Sequence, residues 1–224
     1  MDIDLDSGAC RQVSIPVISL PASKSIAARA LILSEIYSPT VLPVGLPDCS
    51  DTVELYRALR RLRESDGKEE RYDLGSGATS LRFFLAYVAS LPGFSGVVDC
   101  SAQLRERPLR PLIDVLRRAG AEIRCLGEEG NAPVHVVGRK LKGLDADVDV
   151  DAGVSSQFVS ALMMASLLWE KPFEPSMGAK SCGDRPVSAP YVEMTSAMMR
   201  EFAMIAENFR DAPTPMLYEI ELDW

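Results

Sequence analysis

Three side chains suited to binding an anion stand close together near the start of the sequence. Lys24, Ser25 and Arg29 lie where a short polar loop leads into a helical pattern, with apolar or aromatic residues at positions 26, 30, 33 and 37. The first turn of a helix offers free backbone N–H groups and the positive end of the helix dipole, which favour an anion. The alternative is that Ser25 is only an N-cap and the two basic side chains are solvated. This stretch alone leaves both interpretations open.

Two later helix patterns begin in the same way. Thr79 with Arg82 opens one of them, and residues 155–157 (Ser-Ser-Gln) open the other. Short hydroxyls let the backbone approach an anion closely, and arginine adds bidentate recognition of carboxylate or phosphate. Arg107 and residues 188–191 add polar groups at the starts of two further helices. The repeated pattern predicts a site for a ligand with several anionic groups.

The elements that must position these residues repeat three times. Each round reads as strand, polar loop, helix, strand, cap, helix, and then strand or hairpin. The first helices are expected to begin at Ser25, Thr79 and Ser155, and the second helices at about Asp51, Arg107 and Ser188. The predicted fold class is α/β, one globular domain of three βαβαββ units. The six helices would share one core and present the first-helix N-termini at a common rim.

Local patterns give the remaining boundaries. Strands are expected over residues 13–20, 41–46, 96–100, 148–150 and 218–222, and a hairpin over 122–126 and 134–137. Helices are expected over residues 79–91 and from about 188 to 203. The charged run 60–71 is interpreted as a solvated turn, and 172–182 as irregular.

Composition excludes several classes of function. The chain has 224 residues and a net charge of −8, which argues against a general nucleic-acid or anionic-membrane surface. The five cysteines form no CxxC pair and there is one histidine, so the sequence predicts no metal site. The first residues are acidic, unlike a signal peptide, and the longest apolar run is too short to span a bilayer. The expected location is the cytoplasm.

Five motifs together resemble the 5-enolpyruvylshikimate-3-phosphate synthase family. They are PASKSIAAR at 21–29, GATSLR at 77–82, RERP at 105–108, VSSQF at 154–158 and SAPY at 188–191. They occur in the family's order and with nearly its spacing, over about residues 13–203. The sister UDP-N-acetylglucosamine enolpyruvyl transferases usually have Ala-Lys-Asn where this chain has Ser-Lys-Ser at 23–25.

The resemblance implies half of an inside-out α/β barrel and an enolpyruvyl transfer without a cofactor. Phosphoenolpyruvate would donate its enolpyruvyl group to the 5-hydroxyl of shikimate 3-phosphate, releasing phosphate. By the family's motifs, Ser25 and Arg29 would bind the shikimate carboxylate, Ser155, Ser156 and Ser188 its 3-phosphate, and Tyr191 its ring. Lys24, Arg107 and Gln157 would face phosphoenolpyruvate, Ala78 would border its pocket, and Thr79 would also bind substrate. Lys24 would lie between the two substrates and would be the one residue with a catalytic role.

Two features depart from the family. Ser76 and Ala78 stand where Asn and Gly are common, and the resemblance places the Ala78 methyl in the phosphoenolpyruvate pocket, which predicts weak inhibition by glyphosate. Family members are roughly twice as long; residues 1–20 and 218–224 resemble the segments that cross to a second domain, which supplies the acid–base carboxylates. Residues 1–224 are therefore interpreted as the shikimate-3-phosphate-binding domain, inactive alone. The alternative is a non-catalytic anion-binding or interaction module derived from it.

Overall fold

Helices and strands alternate along most of the chain. A computed structural model describes residues 23–37, 41–65, 70–144, 156–173, 175, 189–208 and 216–219. The helices are α1 (Lys24–Tyr37), α2 (Ser50–Glu64), α3 (Ala78–Ala89), α4 (Ala102–Arg105), α5 (Arg110–Arg118), α6 (Ser156–Ala165) and α7 (Ala189–Asn208). The strands are β1 (Val41–Val44), β2 (Glu70–Asp73), β3 (Ser95–Asp99), β4 (Glu122–Cys125), β5 (Val134–Val137) and β6 (Met216–Glu219). The α/β class predicted from the sequence is confirmed.

The middle βαβαββ unit lies wholly within the described residues. Its strands form a four-stranded sheet in the order β2-β3-β5-β4. Strand β2 runs parallel to β3, as a strand–helix–strand connection requires, whereas β5 is antiparallel to both β3 and β4. The β4–β5 pair is the hairpin that the sequence predicted. A separate parallel pair joins β1 to β6.

Helix α3 forms the centre of the core. Nine of its twelve residues are buried, so it is covered on all sides, by α1, α2, α5, α6 and β5. Phe83, Phe84 and Leu85 are each at most 1% exposed. A central helix fixes the relative positions of the helices around it, and several of those begin at the predicted anion-binding residues.

Some predicted boundaries were wrong. The charged run at 60–71 is not one solvated turn, because α2 continues to Glu64 and β2 starts at Glu70. Local ion pairs Arg57–Glu54 and Arg60–Glu64 support the longer helix. Helix α7 extends to Asn208, beyond the expected end at 203.

The start of α1 also differs from the simpler interpretation. The helix begins at Lys24, and the carbonyl of Ser23 accepts from the N–H groups of Ile26 and Ala27 at 3.1 and 3.0 Å. Ser23 therefore holds the N-cap position, whereas Ser25 lies inside the first turn. An N-cap role for Ser25 is excluded.

Several predictions fall outside the described residues. These are the strands at 13–20 and 148–150, residues 155 and 188, most of the irregular stretch at 172–182, and most of the two segments that resemble domain crossovers, 1–20 and 218–224. In the part of the chain that the structure covers, no helix combines the length and apolar character needed to cross a membrane.

Candidate functional site: a cluster of helix starts

Lys24 connects the start of α1 to the start of α2. Its Nζ lies 3.0 Å from Oδ2 of Asp51, which is in the first turn of α2. The Lys24 side chain is 66% exposed and that of Asp51 is 22% exposed. The hydrogen bond and charge of Asp51 raise the pKa of Lys24. Lys24 is therefore a protonated cation that is open to solvent on the side away from its partner.

The start of α3 joins the same group. The Ser80 hydroxyl donates to the backbone carbonyl of Asp51 at 2.9 Å. Gly77 is the N-cap of α3, and a Cβ placed there would lie 3.3 Å from the Asp51 Cα and 3.2 Å from the Ser80 side chain. The glycine thus lets α2 and α3 approach closely at their N-terminal ends.

Arg82 connects α3 to α6. Its Nη1 donates to Oε1 of Gln157, and its guanidinium carbon lies 4.8 Å from the centre of the Phe158 ring. Burial lowers the pKa of Arg82, and the positive charge of Arg107 lowers it further. The Arg82 Nε is buried and has no hydrogen-bond partner among the described residues. Because arginine can only donate, the orientation of the Gln157 amide is set by this contact.

Arg29 lies in the interior between α1, α6 and α7. It is 1% exposed, and its guanidinium carbon is 5.2 Å from the centre of the Phe83 ring. Its Nε donates to Thr195 Oγ1 at 2.8 Å, and its Nη2 to Ser160 Oγ at 3.0 Å. Its Nη1 donates to the Ser25 carbonyl at 2.8 Å, and Nη2 lies 3.5 Å from the Tyr191 carbonyl. Burial lowers the pKa of Arg29 to about 10, so the group remains charged at neutral pH.

The Asp99 carboxylate holds the segment that leads to Arg107. Asp99, at the end of β3, accepts from Arg105 at 2.8 Å (Nε to Oδ1) and 2.6 Å (Nη2 to Oδ2), and from Arg71 Nε at 3.1 Å. Burial opposes ionisation of Asp99, but hydrogen bonds from Arg105, the Cys100 backbone and Arg71 leave its pKa lowered. Asp99 therefore fixes Arg105, two residues before Arg107.

The structure brings most of the predicted site residues to neighbouring helix starts. Lys24, Ser25, Ala78, Thr79, Ser156, Gln157 and Tyr191 all lie in the first turns of α1, α3, α6 and α7. Arg107 lies in the exposed segment between α4 and α5, and Ser155 and Ser188 are outside the described residues. The side-chain contacts above join α1 and α3 to α2, and α3 to α6, which is the arrangement that a common rim of helix starts requires. The contacts do not test which ligand the residues bind.

Sequence reasoning placed none of Asp51, Asp99, Ser160 and Thr195 in the site, although it expected a helix to begin at about Asp51. A signal for two of them was available: Ser160 lies four residues after Ser156, and Thr195 four after Tyr191, as Arg29 lies four after Ser25. Residues at i and i+4 share a helix face, so each of these polar side chains stands directly behind a predicted site residue. Asp51 contacts Lys24 and Asp99 contacts Arg71, 27 and 28 residues away, and no local pattern reveals these pairs.

A cavity of about 540 Å³ lies elsewhere, along the C-terminal half of α1. It is lined by α1, β1 and α2 residues that include Glu35, Tyr56 and Arg63. Burial raises the pKa of Glu35, opposed by Arg63, whose Nε is 3.4 Å away. None of the predicted site residues lines this cavity, so the cavity is separate from the cluster of helix starts.

Comparison with solved structures defines the fold. Two structures of EPSP synthase from Acinetobacter baumannii match with TM-scores of 0.55 and 0.57, at 20% and 21% sequence identity. Each match covers 79% of this chain and 42% of the other chain. The chain therefore has the fold of part of an α/β enzyme of the inside-out barrel type.

Sequence comparison defines the family. The family model described as EPSP synthase (3-phosphoshikimate 1-carboxyvinyltransferase) matches residues 15–212, and the chain belongs to this family. The 3-phosphoshikimate 1-carboxyvinyltransferase of Bacteroides fragilis is 32% identical over 215 residues, covering 92% of this chain and 49% of the relative. The pentafunctional AROM polypeptide of Candida tropicalis is 34% identical over 84% of this chain and 13% of its own length. The chain spans about half the length of the bacterial relative.

Proposed function

We propose that the cluster of helix starts is the shikimate-3-phosphate side of an enolpyruvyl transferase site. The observation that carries the proposal is the meeting of α1, α2, α3 and α6 at their N-terminal ends, through the Lys24–Asp51, Ser80–Asp51 and Arg82–Gln157 contacts. The N-terminal ends of helices favour anions, and two of these helices, α1 and α3, also carry a cationic side chain, Lys24 and Arg82. A local positive cluster in a chain of net charge −8 needs a specific reason, and a multiply anionic ligand supplies one.

The proposed roles follow the helix starts. Ser25 and Arg29 bind the shikimate carboxylate, Ser156 with Ser155 and Ser188 binds the 3-phosphate, and Tyr191 lies against the ring. Tyr191 is 46% exposed at the first turn of α7, where a ring can stack on it. Arg29 already donates to four acceptors, so its remaining N–H is on Nη1. Because Arg29 is only 1% exposed, the carboxylate would meet the Ser25 hydroxyl at the surface and would reach Arg29 through that one N–H alone.

The residues proposed to face phosphoenolpyruvate are Lys24, Arg107 and Gln157, with Ala78 and Thr79 beside it. Arg82 donates to Gln157 Oε1 and so fixes the orientation of the Gln157 amide group, which is proposed to face phosphoenolpyruvate. Lys24 is protonated and two-thirds exposed, so it can bridge the anionic groups of both substrates.

The chemistry assigned to this chain is electrostatic. Enolpyruvyl transfer brings together two substrates with four anionic groups, whose repulsion must be offset by fixed cations and N–H donors. Holding both substrates in one orientation also lowers the entropic part of the barrier. Proton transfer is assigned to carboxylates in the half of the relatives that this chain does not match. In this proposal the chain binds and orients, and Lys24 stabilises charge at the reacting centre.

Titration calorimetry with shikimate 3-phosphate tests the proposal directly. We expect saturable binding by the 224-residue chain, and Ser156→Ala should weaken it by about tenfold or more, since a hydrogen bond to a charged group contributes about 1.5–3 kcal/mol. Ser196→Ala on α7 is a matched control, because the Ser196 hydroxyl accepts from the exposed Arg200 and lies outside the proposed site.

The outcome separates two functions. Binding that Ser156→Ala weakens and Ser196→Ala leaves unchanged supports the substrate-binding role. No binding by the intact chain would contradict it and would favour the alternative, a non-catalytic interaction module with the same fold. Binding that tolerates Ser156→Ala would remove the assignment of the phosphate to α6.

Ala78 carries a second test of the same site. In an enzyme that contains both halves, the Ala78 methyl would narrow the phosphoenolpyruvate pocket, so glyphosate should inhibit weakly and Ala78→Gly should strengthen the inhibition. Strong inhibition that is competitive with phosphoenolpyruvate before the substitution would contradict this assignment.

A further inference from the structure

We infer that Thr195 and Ser160 are positioning residues, which act through Arg29 to hold the starts of α1, α6 and α7 in the arrangement that binds the ligand. The effect on ligand binding rests on the proposed function, whereas the claim that these residues hold the three helix starts together does not. Thr195 and Ser160 are both fully buried, and Arg29 is 1% exposed. Three polar side chains from three helices thus meet in an otherwise apolar interior.

The Thr195 hydroxyl is the centre of this group. The Thr195 Oγ1 is 2.8 Å from the Tyr191 carbonyl and 2.9 Å from Ser160 Oγ. Thr195 is the donor toward both of these oxygens, so its one proton is shared between the Tyr191 carbonyl and Ser160 Oγ. Thr195 Oγ1 also accepts from Arg29 Nε, and Ser160 Oγ accepts from Arg29 Nη2.

The hydrogen bonds in the group depend on one another. Thr195 uses its proton and accepts from Arg29, and Ser160 accepts from both Arg29 and Thr195. Removing the Thr195 hydroxyl leaves the Arg29 Nε–H without its acceptor in a buried position, and it removes the donor to Ser160 Oγ and to the Tyr191 carbonyl. A buried polar network of this kind fixes a single arrangement because each alternative leaves a donor unsatisfied.

The two hydroxyls of the network lie directly behind proposed ligand residues, and Arg29 is itself one of those residues. Arg29 follows Ser25 by one turn, Ser160 follows Ser156, and Thr195 follows Tyr191, each at i+4 on the same helix face. The backbone carbonyls of Ser25 and Tyr191 are themselves bonded to the network. A shift of one helix along its axis would break bonds to the other two, so the three helix starts are held as a unit.

Four variants test the inference. Thr195→Val is nearly isosteric and removes the hydroxyl, Thr195→Ser restores it, and Ser160→Ala removes the second hydroxyl. Ser166→Ala is the matched control, because Ser166 is also buried and donates to the Met163 carbonyl, away from Arg29. With shikimate 3-phosphate as the probe, we expect Thr195→Val and Ser160→Ala to weaken binding by about tenfold, and Thr195→Ser and Ser166→Ala by less than about twofold.

Hydrogen exchange without ligand gives a readout that a general loss of stability would not reproduce. Thr195→Val should speed exchange of backbone amides in the second turns of α1, α6 and α7 together, by about tenfold, and leave those of β3 and β5 unchanged. Faster exchange in α7 alone, or equal acceleration throughout the chain, would overturn the inference.

The two tests also separate this inference from the proposed function. If the unsubstituted chain does not bind shikimate 3-phosphate, the proposed function fails, and hydrogen exchange alone then supports or overturns the positioning role. If the chain binds and Thr195→Val binds equally well, the positioning role fails and the proposed function stands.

Discussion

Replacing Asp99 by asparagine tests how far one buried carboxylate organises the loop that carries Arg107. The Asp99 side chain is 3% exposed, whereas those of its partners Arg71 and Arg105 are 55% and 41% exposed. Asparagine keeps the shape but loses the charge, and its amide group turns two donors toward guanidinium N–H groups. The change therefore removes charge-assisted hydrogen bonds and creates a donor–donor conflict.

The expected loss of stability depends on the burial of Asp99 and on the exposure of its two arginine partners. Hydrogen bonds to charged groups contribute about 1.5–3 kcal/mol each, but the half-exposed arginines regain hydration when the pairing is lost. We expect Asp99→Asn to lower the free energy of unfolding by about 2 kcal/mol at pH 7. In a chain of this size, that corresponds to a fall of about 4–8 °C in the thermal midpoint.

The pH dependence gives the sharper assay. Because the folded-state pKa of Asp99 lies below its ordinary value of 3.8, its contribution is fully present above that value and is lost as pH falls through the folded-state pKa. Urea unfolding should show the full deficit at pH 7 and pH 5, and a shrinking deficit below pH 4. Asp114→Asn, on the exposed face of α5, makes the same chemical change and should cost less than about 0.5 kcal/mol. A deficit at Asp99 that stays constant down to pH 3 would refute the electrostatic reasoning.

Three further outcomes are expected from single contacts. Gly138→Ala should cost about 3 kcal/mol or more in unfolding free energy, because the added Cβ would lie 2.0 Å from the Leu91 carbonyl oxygen; a thermal midpoint close to that of the unsubstituted chain would contradict this. Burial raises the pKa of the Cys100 thiol to about 12, so mass mapping should find it unmodified by iodoacetamide at pH 8 while the fold is intact, in contrast to the partly exposed Cys49. Lys24→Met should change the unfolding free energy by less than about 0.5 kcal/mol, since the exposed pair with Asp51 contributes little to stability. A larger change in the unfolding free energy measured in urea would contradict this expectation.

The sequence predicts those parts of the fold that depend on local pattern. The β4–β5 hairpin and the starts of α1, α3 and α6 follow from turn residues and helical spacing, and the structure places them within one residue or so of the expected positions where it describes them. The end of α2 could also have been predicted from the local sequence, because Arg60 and Glu64 form an i,i+4 ion pair that favours a helix. The error there came from treating charge density alone as evidence of a turn.

The sequence predicts the exposed side chains of the candidate site, but not the residues that hold them in place. The motifs identify the side chains at the helix starts, but Lys24 and Asp51 are 27 residues apart, and Arg71 and Asp99 are 28 apart, so neither pairing has a local signal. Arginine is rarely buried, and sequence alone therefore favours an exposed Arg29. Its burial depends on Thr195, 166 residues further along the chain. Only tertiary structure brings these partners together.

The contrast between Lys24 and Arg29 predicts how salt affects the proposed binding. Lys24 is 66% exposed, so added salt screens it, whereas Arg29 is 1% exposed and is screened much less. Raising the ionic strength from 0.1 to 1 M shortens the Debye length from about 10 to about 3 Å. Shikimate 3-phosphate binding should therefore weaken with salt, and Lys24→Met should bind less tightly but with a shallower salt dependence, as measured by calorimetry at both ionic strengths. An equally steep dependence in Lys24→Met would mean that Lys24 does not contact the ligand, and that the anion is held by the buried and helix-terminal donors alone.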